Sequence, residues 1–184
     1  MKVLLVTGYK PMEINIFQPD DERINIIKAA IEQRLIGLID EGLEWVLISG
    51  KRGVEQWAGE VALNLRDQYG LKLALIPPFE HQDGRWPESI QELYQGLMAS
   101  ADFYKPLYQG DYRGPYQYQA SNKWLVAKSD SCLMLLDEDF QGSNQYIYQE
   151  IQTYEGDYPL YQITPADLED IKDDEQMTDP DYWQ

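Results

Sequence analysis

Apolar residues along this chain come in two rhythms, and their alternation predicts the architecture. Short, nearly unbroken apolar runs at Val3-Leu4-Leu5-Val6, Trp45-Val46-Leu47-Ile48, Leu71 to Ile76 and Ser131 to Leu136 read as strands buried on both faces. Between them the apolar positions recur at helical spacing. Ile24, Ile27, Ile31, Leu35, Leu38 and Ile39 mark a long helix capped by Asp20-Asp21 and closed by Gly42. Trp57, Val61 and Leu65 mark a second helix, from about Val54 to Tyr69, ended by Gly70. Pro77-Pro78 stop the third strand. Helices are expected over Glu88–Ala101, Ala120–Lys128 and Ser143 to about Tyr154, with a short strand in Phe103–Leu107 and an edge strand at Leu160–Ile163. Strands alternating with helices imply right-handed crossovers, hence an α/β domain with a mostly parallel central sheet and helices on both faces. That domain is expected over residues 1–164, followed by an acidic C-terminal tail over 165–184.

The strand ends carry the candidate chemistry. In an open parallel sheet the carboxyl ends lie on one side, where ligands bind. After the strand at 45–48 comes Ser49-Gly50-Lys51-Arg52-Gly53-Val54-Glu55, a glycine-bearing turn that opens a helix. The first helical N–H groups lack partners within the helix, so such a turn suits a phosphate or similar anion. Lys51 or Arg52 would neutralise it. Glu55 has two readings. It either offsets the helix dipole, for up to ~1 kcal/mol, or accepts hydrogen bonds from a ribose diol. Contact with a phosphate is disfavoured, since like charges about 4 Å apart repel by roughly 4 kcal/mol at an effective dielectric near 20. Two further turns, Thr7-Gly8-Tyr9-Lys10 and Asp137 to Ser143, would line the opposite wall with Thr7, Gly8, Lys10, Gly142 and Ser143. Asn122 either reaches the same crevice or serves as a cap or turn residue. The tyrosine-rich stretch 108–119 is expected as a loop over one sheet edge, stacking on a base or packing on the surface.

Composition narrows the function. The 184 residues suffice for one domain with a core, and 43% apolar content excludes wholesale disorder. No apolar run approaches the roughly 20 residues that span a bilayer, and no signal peptide opens the chain, so a cytoplasmic protein without a membrane partner is expected. The single cysteine, Cys132, lies in an apolar run and is read as inert core. A formal net charge of −17, with 15 basic residues against 32 acidic ones, argues against nucleic acid as a partner. The lone histidine, His81, sits in a polar loop, which removes a histidine metal cluster and disfavours a Ser-His-Asp triad. Neither a GxxxxGK[ST] phosphate loop nor GxGxxG is present.

With these turns in view, the chain resembles the YpsA-type proteins, a branch of the SMF/DprA–LOG superfamily. The matching pieces are VTGYKP at 6–11, IFQPDD at 16–21, DEGLEWVLISGKRGVEQWAGEVA at 40–62 and SNKWLVAKSDSCLMLLDED at 121–139, followed by Gly142-Ser143. The resemblance implies a Rossmann-like fold and a nucleotide-derived ligand such as ADP-ribose or an NAD-related molecule. It places the family's glycine–x–glutamate element on Gly53 and Glu55, and it implies a bacterial, cytoplasmic protein with a link to cell division. One departure matters. The LOG branch carries PGGxGTxxE with a catalytic glutamate, whereas this chain has Tyr146 at the corresponding place.

The leading expectation is therefore a binding protein, a sensor or regulator, for a small nucleotide-like ligand. Two alternatives stay open: a hydrolase of an N-glycosidic or phosphate bond with Glu55 as acid or base, and a protein-interaction module with a vestigial pocket. A homo-oligomer and a cell-division protein partner are also open, and no metal or obligatory cofactor is expected. The account requires that the crevice is not filled by the protein's own side chains and that Glu55 is not locked into an internal ion pair.

Overall fold

The computed structural model describes residues 1–183; Gln184 and the side chains of Tyr182 and Trp183, at the end of the expected tail, lie outside the described residues. Six strands form one parallel sheet: β1 (Val3–Thr7), β2 (Trp45–Ile48), β3 (Lys72–Leu75), β4 (Phe103–Tyr104), β5 (Ser131–Leu135) and β6 (Leu160–Ile163). Six helices accompany them: α1 (Glu22–Asp40), α2 (Val54–Tyr69), α3 (Glu88–Ser100), α4 (Tyr116–Ala127), α5 (Asn144–Gln152) and α6 (Pro165–Thr178). The strand order is β4-β3-β2-β1-β5-β6. The fold is α/β and Rossmann-like, as expected.

That order fixes where the helices go. From β1 the chain steps outward to β2, β3 and β4, then returns past β1 to add β5 and β6 on the other side. Right-handed crossovers running in opposite directions must lie on opposite faces. Two apolar layers show this directly. On one face Leu4, Val6, Val46, Ile48, Leu73 and Leu133 meet Ile27, Ile31 and Leu35 of α1 and Ala58, Val61 and Leu65 of α2. On the other, Leu5, Leu47, Cys132 and Met134 meet Leu125 and Val126 of α4 and Ile147 and Ile151 of α5. Alternate residues of one strand thus serve different layers, which is why the strands read as continuous apolar runs. Burial pushes the Cys132 thiol pKa up and keeps it an unreactive thiol in the core.

The strand order reverses between β1 and β5, and there the turns leaving the two strands diverge. This is the topological switch point, where open α/β sheets hold ligands. Beyond Thr164 the chain forms α6. The Thr164 hydroxyl caps the helix at the Asp167 N–H (3.2 Å), the Asp167 carboxylate returns to the Thr164 N–H (2.8 Å), and Ile171 is buried against the core that α1 lines. Among the described residues, no helix is long and apolar enough to cross a membrane.

Candidate functional site

The turn after β2 is built around one buried carboxylate. Glu55 sits in the first turn of α2 and is 3% exposed. Its Oε1 accepts from the Ser49 N–H (2.7 Å) and the Ser49 hydroxyl (2.8 Å), and its Oε2 accepts from the Thr7 hydroxyl (3.0 Å). Lys51 Nζ stands 3.7 Å from Oε2 and compensates the charge. Burying a carboxylate is tolerable only when it is paired and hydrogen-bonded, and Glu55 is both. Thr7, Ser49, Lys51 and Glu55 are therefore brought together, but as an internal network that ties β1, β2 and α2.

This arrangement corrects the simplest role expected for Glu55. Its oxygens are engaged by the protein's own donors, so a ribose contact would require Thr7 or Ser49 to let go. Several glycines also make room for the chain itself. Gly53 has φ +94° and its amide neighbour Val54 donates to the Tyr9 carbonyl (3.2 Å), so any Cβ at Gly53 would collide with that carbonyl oxygen. A Cβ at Gly8 would lie 2.7 Å from the Val54 side chain, and one at Gly50 would lie 2.6 Å from Leu75 and 2.8 Å from Tyr94. The inner part of the crevice is filled by protein atoms and Glu55 is held in an internal ion pair with Lys51, so the pocket expected around Gly50, Gly53 and Glu55 does not meet its own requirement, and a ligand site at this turn has to lie outside it.

One side chain of the same turn is left unpaired. Arg52 is half-buried, makes no hydrogen bond or ion pair among the described residues, and has a buried Nε without an acceptor. A guanidinium with unmet donors beside a partly exposed Lys51 is a local concentration of positive charge in a strongly acidic molecule. Across the switch point, two residues of the turn after β1 stitch it to the turn after β5. The Tyr9 hydroxyl accepts from the Asp137 N–H (2.8 Å) and donates to the Phe140 carbonyl. Glu13, in a short 3-10 turn over Pro11–Ile14, accepts from the Ser143 N–H (2.8 Å), the Ser143 hydroxyl (2.6 Å) and the Lys10 N–H (3.0 Å). Burial pushes the Glu13 carboxyl pKa up, but the Ser143 and Lys10 hydrogen bonds and the nearby Lys51 charge outweigh it and hold the pKa below its ordinary value. Gly142, at φ +56°, is packed directly against the Glu13 carboxylate.

Ser143 is bonded and Gly142 packed to Glu13, so both are engaged by the protein itself, and the Lys10 side chain is exposed. Asn122 lies elsewhere. It lines a polar groove between α4 and α5 with Gln119, Tyr146 and Gln149, so it does not join the turns at the strand ends. His81 is exposed and paired with Asp111, which raises its pKa. Tyr9, Glu13 and Gln82, whose amide donates to the Ser49 carbonyl (2.8 Å), were not singled out by sequence reasoning. Only Tyr9 and Glu13 carried a signal: Tyr9 lies within, and Glu13 just after, a turn already placed at a strand's carboxyl end.

Comparisons with known proteins fit this geometry. A family model described as the YspA SLOG family matches residues 4–168. A UPF0398 protein of Oceanobacillus iheyensis is 54% identical over 183 residues, covering 100% of both chains. The UPF0398 protein YpsA of Bacillus subtilis is 44% identical over 171 residues, covering 91% of this chain and 95% of that one. Among solved structures, DNA processing protein A of Helicobacter pylori, described for its single-stranded DNA binding mode, superimposes with a TM-score of 0.54 at 16% identity. The match covers 85% of this chain and 64% of that protein, so this chain spans less than two thirds of its length. The likeness is one of fold, and it overturns one expectation. Net charge alone suggested that nucleic acid was excluded as a partner, yet the same fold serves a protein that binds single-stranded DNA. Local charge at a crevice, as at Lys51 and Arg52 here, can differ in sign from the whole surface. The chain belongs to the YspA SLOG family.

Proposed function

We propose that this protein binds a nucleotide-derived ligand, such as ADP-ribose or an NAD-related molecule, at the switch-point crevice, and acts as a sensor or regulator. The observation that carries the reading is the unpaired Arg52 guanidinium beside Lys51, with a buried Nε that no protein acceptor meets. Buried donors are costly when unsatisfied, and a ligand phosphate would supply the missing acceptor. Glu55 acts through Lys51: it holds the ammonium at the inner wall and fixes the turn, while the ligand stays on the outer rim. Ser49, Gly50 and Gly53 keep that turn in shape, and Gly142, Ser143 and Lys10 border the opposite side with Thr7 and Gly8 beneath.

Titration calorimetry with ADP-ribose, NAD and AMP tests this. The wild type should bind at least one, and Arg52→Ala should weaken it by about tenfold or more, the loss expected for a charge-assisted hydrogen bond. An absence of heat with all three ligands, together with an unmoved melting temperature, would remove the reading. The fold shared with DNA processing protein A favours a second reading, in which the phosphate on Arg52 belongs to a single-stranded oligonucleotide. Fluorescence anisotropy with labelled oligothymidylate separates the two, because binding along a strand weakens steeply with salt in proportion to the phosphates engaged.

A further inference from the structure

Phe140 lies on the turn after β5, and its ring is 50% exposed. One face is covered: the ring stacks on Tyr9 with centroids 5.8 Å apart and planes 8° from parallel. Tyr9 itself is 2% exposed and is anchored through its hydroxyl to Asp137 and Phe140, and the Phe140 N–H donates to the Asp137 carbonyl (3.0 Å). An aromatic ring is thus held beside Tyr9 and Gly142 while half of the residue is left to solvent. Exposing it forgoes part of its hydrophobic burial.

The other aromatic surfaces differ. In the tyrosine-rich stretch, Phe79 meets Tyr112 and Tyr118, and Tyr108 meets Tyr116, at interplanar angles of 52° to 87°, so these rings use their faces and edges on one another. Phe17 is 73% exposed and stacks on no other ring among the described residues. Phe140 continues a parallel stack outward.

We propose that the open face of Phe140 is the platform on which the base of the nucleotide ligand stacks. This rests on the phosphate reading given above and extends it by assigning the other end of the ligand. Planar nitrogen bases stack in an offset, near-parallel manner on aromatic side chains, and the Tyr9–Phe140 pair already has that geometry. The two ends lie on adjoining turns, because Tyr9 joins them: its ring stacks on Phe140, and its carbonyl accepts from the N–H of Val54 (3.2 Å), two residues from Arg52. The ligand class is one that joins an aromatic base to at least one phosphate.

The test compares AMP with ribose 5-phosphate by calorimetry on wild type, Phe140→Ala and Phe140→Trp. The wild type should prefer AMP by about tenfold or more, the usual worth of one stacked base. In Phe140→Ala the AMP affinity should fall to that for ribose 5-phosphate, and Phe140→Trp should keep the preference. A preference for AMP that survives Phe140→Ala, or equal binding of both by the wild type, overturns the stacking role and leaves the phosphate site standing. Binding of neither by the wild type overturns the stacking role, while the phosphate reading falls only if ADP-ribose and NAD fail as well.

Discussion

The turns after β2 and β5 resemble each other in sequence and are built in opposite ways. Each leaves a buried strand, carries a glycine with positive φ and opens a helix: Gly53 before α2, Gly142 before α5. In the first, the carboxylate belongs to the helix itself. Glu55 folds back inside, 3% exposed, and its partners include Ser49, six residues away in the same turn. In the second, the carboxylate comes from Glu13, 130 residues distant, and it is only partly buried. The first turn is a sealed keystone, and the second is closed by a residue of another loop at the surface. A helix entrance that evokes an anion site can therefore be satisfied by the protein in advance, and only the depth of that satisfaction separates a structural contact from an exchangeable one.

The largest contrast should come from the glycines. Gly53→Ala forces a side chain against the Tyr9 carbonyl at φ +94° and should cost about 3 kcal/mol or more, or prevent folding. Gly142→Ala meets side chains rather than backbone, the end of Glu13 and, at 3.3 Å, the Phe140 ring, at φ +56°, so about 1 to 2 kcal/mol is expected. Chemical denaturation of both variants measures the difference, and equal costs would show that the turns are alike after all. The carboxylates come next. Glu55→Gln leaves Lys51 uncompensated and turns an amide NH2 towards donors, for an expected loss of about 2 to 3 kcal/mol. Glu13→Gln should cost under about 1 kcal/mol, given its partial exposure.

The smallest effect is one of pH. The Glu13 carboxyl pKa is held below 4.5, so its contribution is fully present above that value and is lost as pH falls through the lower folded pKa. Unfolding curves of wild type and Glu13→Gln should therefore draw together as pH falls below 4.5. A gap between them that is constant across this range would contradict the assignment.

What the sequence made legible was local. The apolar runs placed four of the strands, two shorter ones were expected at Phe103–Leu107 and Leu160–Ile163, and the strand–turn–helix passages marked the turns at the strand ends, because each is written within a few consecutive residues. Two boundaries moved for backbone reasons. The expected strand over Phe103–Leu107 pairs only at Phe103–Tyr104, where Pro106 soon removes a ladder donor. The helix expected from Ala120 begins at Tyr116, because Pro115, with φ −59°, is already set for a helical turn. The Glu13–Ser143 and Tyr9–Asp137 contacts join residues about 130 positions apart, and no local pattern records them. Glu55 shows the limit most clearly. Its position beside an anion-suited turn was readable, but which of its neighbours would saturate it depended on how β1 lies against β2.

The central claim is that the outer rim of the crevice, with Arg52 at its centre, receives a phosphorylated ligand. Amide chemical-shift mapping of the labelled protein during titration with ADP-ribose tests it most directly. The account predicts shifts concentrated at residues 51–54, 9–13 and 137–144, with residues 108–119 unmoved. Saturable shifts confined to the tyrosine-rich stretch or to the groove around Asn122, with the amides of Lys51 and Arg52 silent, would contradict it.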